Sequence, residues 1–108
     1  MTLTPQDHLN ILNQVFEIDK KLKDNPAERS VGRNLRRITA VFTDLGYVTR
    51  DPLHEAYDET RLDCEARIAG TAADNLHITE VIKPIIYLRD GDQNHIVQKA
   101  VVIAEEKS

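Results

Sequence analysis

Gly46-Tyr47-Val48-Thr49-Arg50-Asp51-Pro52-Leu53-His54-Glu55-Ala56 divides the chain into two kinds of pattern. Before it, apolar residues recur every three or four positions, the period of a helix. Beyond it, from Thr60, they recur every second position, the period of a half-buried strand. The stretch itself holds a glycine suited to ending a helix and an Asp-Pro pair suited to a turn. The expected fold is therefore α+β, with a helical hairpin over residues 1–48 followed by a small antiparallel β domain over residues 49–108.

At 108 residues, 41% hydrophobic and 30% charged, the chain suits one soluble domain or a small domain with a helical appendage. So short a chain buries a limited share of its surface and often gains stability by oligomerising, so a dimer is expected. Cys64 is the single cysteine, which excludes an intrachain disulfide. No secretory leader is expected, and a reducing cytoplasmic home follows. With no apolar run near about 18 residues, no membrane span is expected. Residues 1–48 hold seven Lys/Arg against six Asp/Glu, and residues 49–108 hold seven against twelve. That balance gives no nucleic-acid footprint, which calls for a basic domain.

The first helix is expected to start with Thr4 as N-cap, Pro5 at the first helical position and Asp7 completing a capping-box-like pattern. It ends near Asp24-Asn25-Pro26. Leu9, Leu12 and Phe16 form one apolar stripe, and Ile11, Val15, Ile18 and Leu22 form a second on the adjoining face. Two stripes cover more of the helix than one partner helix needs, so a bundle between subunits is expected.

The second helix is expected from about Pro26, capped by Asp24 or Asn25, to Gly46. Val31, Leu35, Ile38, Phe42 and Leu45 step by four, three, four and three along it. Arg29, Arg33, Arg36 and Arg37 lie opposite that stripe at about 100° per residue. The stripe reads first as a salt-bridged, solvated helix surface, with a dock for an acidic partner as the alternative. The arginine fork, better matched to carboxylates than lysine, adds slight weight to that alternative.

Leu62, Cys64, Ala66 and Ile68 alternate with Arg61, Asp63, Glu65 and Arg67, the pattern of a strand with Cys64 as a small core residue. A turn through Gly70 to Asn75 leads to an extended segment, Leu76 to Leu88. Asp90-Gly91-Asp92-Gln93-Asn94 then breaks the chain before Ile96 to Ala104, and the two segments read as a hairpin. Pro84 has no amide hydrogen and is expected at an edge or bulge.

Catalytic and metal patterns are scarce. Histidines 8, 54, 77 and 95 lack metal-site spacing. Asp90-x-Asp92-x-Asn94 begins like a calcium loop, but His95 replaces the required glycine and Val101 the required glutamate. There is no phosphate cradle and no nucleophile elbow. Glu55, Asp58, Glu59, Asp63 and Glu65 read as solvent-exposed charges. Pro52 and His54 read as structural junction residues. By its chemistry the chain looks like a binding module rather than an enzyme, with no cofactor and no metal.

The order helix, helix, Asp51-Pro52-Leu53-His54-Glu55-Ala56, small sheet resembles GrpE-type nucleotide exchange factors, which carry an Asp-Pro-x-x-His-x-Ala signature between a helical bundle and a β domain. Glu80-Val81, Tyr87-Leu88 and Val97-Gln98-Lys99-Ala100-Val101-Val102-Ile103 are also similar, as are Val15 to Leu22 and Ile38 to Gly46. The signature here is one residue shorter, and the helical part corresponds to the family without its long N-terminal stalk.

The resemblance implies a homodimer joined by a four-helix bundle, its interface at Leu9, Leu12, Phe16, Leu35, Ile38 and Phe42. It also implies a β domain that binds the ATPase domain of a DnaK-type chaperone and promotes ADP release without being an enzyme. Carried over by position, the partner-binding face comprises Lys83, Tyr87, Leu88, Arg89, His95 and Gln98. A homodimeric adaptor that uses the same architecture for another protein partner is the alternative. An enzyme would instead need a polar cleft, with His54, His77 and acids gathered in it.

Overall fold

The computed structural model describes residues 2–71 and 74–107. Two helices, α1 (Pro5–Leu22) and α2 (Glu28–Asp44), precede seven strands: β1 (Tyr47–Arg50), β2 (Ala56–Tyr57), β3 (Cys64–Ile68), β4 (Leu76–Lys83), β5 (Ile85–Asp90), β6 (Gln93–Gln98) and β7 (Ala100–Glu106). The chain is thus α+β, two helices followed by a β-rich region. It divides into two compact units, one running to Val48 and including Leu88–His95, the other comprising Thr49–Tyr87 and the chain from Ile96 onward. No helix among the described residues is long and apolar enough to cross a membrane.

In the first unit, Thr4 caps α1 reciprocally. Its hydroxyl accepts from the Asp7 amide at 3.1 Å, and the Asp7 carboxylate accepts from the Thr4 amide at 2.8 Å. These bonds satisfy two donors at the helix start and hold the Asp7 carboxyl below its usual range. Asp24, at φ 63°, turns the chain out of α1.

The expected cap of α2 at Asp24 or Asn25 is replaced by Ala27, which supplies no side-chain bond. The cause is a local turn: the Glu28 amide donates to the Asn25 carbonyl, and the Asn25 side chain accepts from the Ala27 amide at 2.8 Å. The asparagine is engaged one turn too early to cap the helix. At its other end α2 stops where Gly46 adopts φ 102°. Gly46 also lets the chain approach closely, since a Cβ there would lie 3.4 Å from Leu88 Cδ1. The Gly46 carbonyl accepts from the Arg89 amide at 2.8 Å. Leu12, Leu35, Phe42 and Tyr47 are buried in this unit.

In the second unit the sheet order is β2-β4-β7-β3. β4 pairs antiparallel with both β2 and β7, whereas β3 runs parallel to β7, from Cys64 opposite Ala100 to Ile68 opposite Ala104. An all-antiparallel domain was the expectation. Alternation reports which face of a strand is buried, not its direction, so the parallel pair could not be read from the pattern. Ile78, Ile85, Ile86, Val102 and Ala104 are fully enclosed.

A second sheet has the order β1-β5-β6. The segments expected as single strands, Leu76 to Leu88 and Ile96 to Ala104, are each broken. Pro84 separates β4 from β5, and Lys99 separates β6 from β7. Pro84 offers no amide to continue a ladder, and its carbonyl accepts from the Gln98 amide side chain at 2.9 Å. The expected bulge falls before it, as register shifts between Ile78 and Glu80 and between Val81 and Lys83.

Leu62, expected to point inward, is 77% exposed because β3 begins only at Cys64. Of the turn expected from Gly70 to Asn75, Ala72 and Ala73 lie outside the described residues.

Candidate functional site

The helices of the first unit run antiparallel. His8, near the start of α1, makes edge contacts with Phe42, near the end of α2, at 5.6 Å between ring centroids and with Tyr47 at 5.5 Å. His8 Nδ1 and the Tyr47 hydroxyl lie 2.9 Å apart. This aromatic cluster locks the open end of the hairpin.

Each helix keeps an apolar flank outside that contact. On α1, Val15, Leu22, Ile11 and Ile18 lie about 60° to 120° to one side of Leu12 at 100° per residue. On α2, Val31, Ile38, Leu45 and Val41 lie about 30° to 110° to the same rotational side of Leu35 and Phe42. In antiparallel helices the same rotational sense, each viewed along its own axis, falls on one side of the pair. The two flanks therefore form one apolar face. Ile18, Val31, Ile38, Val41 and Leu45 are exposed on it, while Ile11, Val15 and Leu22 are half-buried.

Of the residues expected at a dimer interface, Leu12, Leu35 and Phe42 are already buried in the single chain. Leu9 and Phe16 are half-buried, and Ile38 is exposed. Sequence periodicity singled out the stripe but could not separate the part used within the hairpin from the part left over. The exposed Val41 and Leu45 define the remainder better.

Of the residues expected on a partner-binding face, Lys83 is exposed at the end of β4. Tyr87, Leu88 and Arg89 lie on β5, the first two half-buried and the third exposed; His95 and Gln98 lie on the neighbouring β6. The His95 Nε2 and an Asp90 carboxylate oxygen are 3.4 Å apart, and both side chains are largely exposed. Gln98 is half-buried, with its amide on the Pro84 carbonyl. That contact gives Gln98 a role in shaping the strand break.

The Asp51-Pro52-Leu53-His54-Glu55 segment is pinned to β4 by its backbone. The His54 amide donates to the Ile78 carbonyl at 2.9 Å, and the Ile78 amide donates to the Glu55 carbonyl at 2.8 Å. Asp51 accepts from the Leu53 amide at 3.0 Å, Pro52 is fully buried, and His54 adopts φ 71°. The His54 side chain is exposed, so its junction role belongs to its backbone.

Beside this turn is a charge cluster that the sequence did not disclose. Arg61 donates to Asp63 at 2.6 Å and to Glu55 at 2.8 Å, and Arg50 reaches Glu55 at 2.7 Å and Asp63 at 3.6 Å. Arg61 also donates to the Ala56 carbonyl at 2.9 Å. Arg50 interacts in addition with the Tyr87 side chain. Glu55 and Asp63, expected as solvent-exposed charges, instead clamp an arginine whose side chain is 17% exposed. The hydrogen bonds from Arg61 hold the Asp63 carboxyl below its usual range, while the carboxylates raise the Arg61 pKa. Next to them, burial pushes the Cys64 thiol up to about 11, which leaves it protonated and inert.

The second unit carries a cleft of about 380 Å³ lined by residues including Tyr57, Asp58, Glu59, Ile68 and Leu76. The Asp58 carboxylate there accepts from both the amide and the hydroxyl of Thr60. It closes a turn. Among the described residues no group of His, Cys, Asp and Glu has the arrangement to hold a metal ion. His77 Nδ1 is buried without a hydrogen-bond partner among them. Comparison with protein-family models, curated proteins and solved structures finds no match for this chain.

Proposed function

We propose that the chain is a GrpE-like co-chaperone that acts by protein binding: a homodimer that joins the ATPase domain of a DnaK-type chaperone and promotes release of ADP. The observation that carries this reading is the apolar face on one side of the helical hairpin, where Ile18, Val31, Ile38, Val41 and Leu45 lie exposed in the single chain. A second copy laying the same face against it would complete a four-helix bundle and remove those side chains from water. The resemblance through Asp51-Pro52-Leu53-His54-Glu55-Ala56 adds the class of partner.

In this reading Lys83, Tyr87, Leu88, Arg89 and His95 contact the chaperone, and Gln98 holds the Pro84 corner beside them. The factor favours an ATPase conformation that retains ADP poorly. By linkage, ADP then weakens binding of the factor to the same extent. No proton donor or nucleophile takes part.

The test is the rate at which fluorescent ADP leaves DnaK-type chaperones of the same organism, with and without the chain. Saturable acceleration is expected. Lys83→Ala with His95→Ala should reduce it without altering the oligomeric state, and Ile38→Asp with Leu45→Asp should yield monomers in sedimentation equilibrium. No acceleration with any of those chaperones leaves the homodimeric adaptor as the reading, and a wild-type monomer at all concentrations removes the bundle.

A further inference from the structure

The four arginines of α2 are exposed, and none makes an ion pair or side-chain hydrogen bond among the described residues. Their spacing works against the helix that carries them. Arg29 and Arg33, Arg33 and Arg37, and Arg33 and Arg36 are four, four and three apart, so like charges face one another where opposite charges would stabilise. No Asp or Glu stands three or four positions from any of the four. Arg29 lies in the first turn, at the positive end of the helix dipole, where cations are disfavoured, and the last turn has no basic residue. By contrast, α1 pairs Lys21 with Glu17 at 3.4 Å and has Lys20 and Lys21 in its last turn. A solvated surface selected only for solubility would resemble α1.

From these observations we infer that the Arg29-Arg33-Arg36-Arg37 stripe is a docking surface for a carboxylate-rich polypeptide segment. Four guanidinium forks spread over eight residue steps span about 12 Å along the axis. That span matches a short acidic helix or a few extended acidic residues. Each fork can take a carboxylate in two parallel hydrogen bonds, a geometry lysine cannot supply. Charge complementarity favours a protein segment over nucleic acid. A patch this short engages little of a long polyanion, and residues 49–108 add twelve acids against seven bases to the chain's charge. The stripe also offers no aromatic side chain on which bases could stack. The inference is independent of the exchange-factor reading, which places its contacts on the strands.

The experiment measures fluorescence anisotropy of a labelled helical peptide with glutamate at every third or fourth position, titrated with the full-length chain. Its glutamine counterpart and an oligonucleotide of equal charge serve as comparisons. The glutamate peptide should bind, the glutamine peptide should not, and raising salt should weaken binding. Arg33→Gln with Arg37→Gln should raise Kd about tenfold, with the helical circular dichroism signal retained. The corresponding lysine variant, which keeps charge but loses the fork, should raise it about threefold. Lys20→Gln with Lys21→Gln and Lys23→Gln, at the C-terminal end of α1 and just beyond it, should leave Kd unchanged. Equal weakening by the α1 variant would reduce the effect to net charge and overturn the inference. So would tighter binding of the oligonucleotide, or failure of the glutamate peptide to bind at low salt.

Discussion

In the four-stranded sheet Ile78 and Val102 are wholly enclosed, whereas on the helical pair Ile38 remains 40% exposed, Leu45 53% and Val41 59%. The difference follows from geometry. Strands β4 and β7 bury alternate residues along one face, and β5 supplies Ile85 and Ile86, so the second unit closes a core from its own chain. Two helices alone cannot do this. Each presents an apolar arc wider than its single partner covers, and the surplus falls on one side of the pair. The second unit thus encloses whole side chains, while the first buries Leu12, Leu35, Phe42 and Tyr47 and leaves an apolar flank in water.

Alanine replacements sharpen that contrast. Ile78→Ala should cost about 2–5 kcal/mol in urea unfolding at any protein concentration, since it opens a cavity in an enclosed core. Ile38→Ala should cost under about 1 kcal/mol in dilute solution, since much of the side chain already meets water. If a second copy covers the face, the Ile38→Ala loss grows with concentration and the wild-type Tm becomes concentration-dependent. An Ile38→Ala loss equal to that of Ile78→Ala at every concentration would break the contrast.

The charge cluster of the second unit gives the next effect. Arg61→Ala takes from Asp63 its 2.6 Å donor and from Glu55 one of its two arginine donors, both carboxylates being partly shielded from water, at a cost of about 2 kcal/mol near neutral pH. The Asp63 pKa is lowered in the folded chain by Arg61. Its contribution is therefore fully present above the unfolded value near 3.9, and it is lost as pH falls through the lower folded value. The gap between wild type and Arg61→Ala in urea midpoint should narrow progressively below about pH 4. A gap that stayed constant to pH 2 would show that Arg61 acts through packing of its stem rather than through the carboxylates.

Much of the fold was legible where the determinants are local. The Thr4-Asp7 box, the left-handed Gly46 and the buried Cys64 each depend on a few neighbouring residues, and each was readable from them. Elements that depend on irregular loops or distant partners were not. Arg61 reaches Glu55, Asp63 and the Ala56 carbonyl, all within six positions, through the course of an irregular loop that periodicity does not report. The parallel course of β3 depends on β7, more than thirty positions away. Leu62 continues an alternating pattern that the strand does not extend to meet. Of the candidate site, the apolar stripes were readable but not their division into covered and uncovered parts, because that depends on how far each helix is rotated toward the other.

Smaller effects test the helical unit against its own sequence. At Gly32 an added Cβ would meet only Arg36 Nη1, at 3.4 Å, the far end of a flexible side chain. Gly32→Ala should therefore stabilise α2 by up to about 1 kcal/mol, the helix-propensity difference. Destabilisation in thermal unfolding would mean that the bare backbone there is needed for a close approach between helices.

The smallest change is expected in the second unit, at His54. Its φ of 71° is a conformation glycine adopts without cost. His54→Gly relieves that strain but loosens the unfolded chain, two opposing terms of about 1 kcal/mol that nearly cancel. The unfolding midpoint should move little, because the bonds to Ile78 come from the His54 amide and the Glu55 carbonyl, both kept in the variant. If the chain accelerates ADP release as proposed, that activity should survive the change as well. Lost acceleration with an unchanged midpoint would assign the exposed imidazole a direct contact with the partner and turn the junction into part of the binding face.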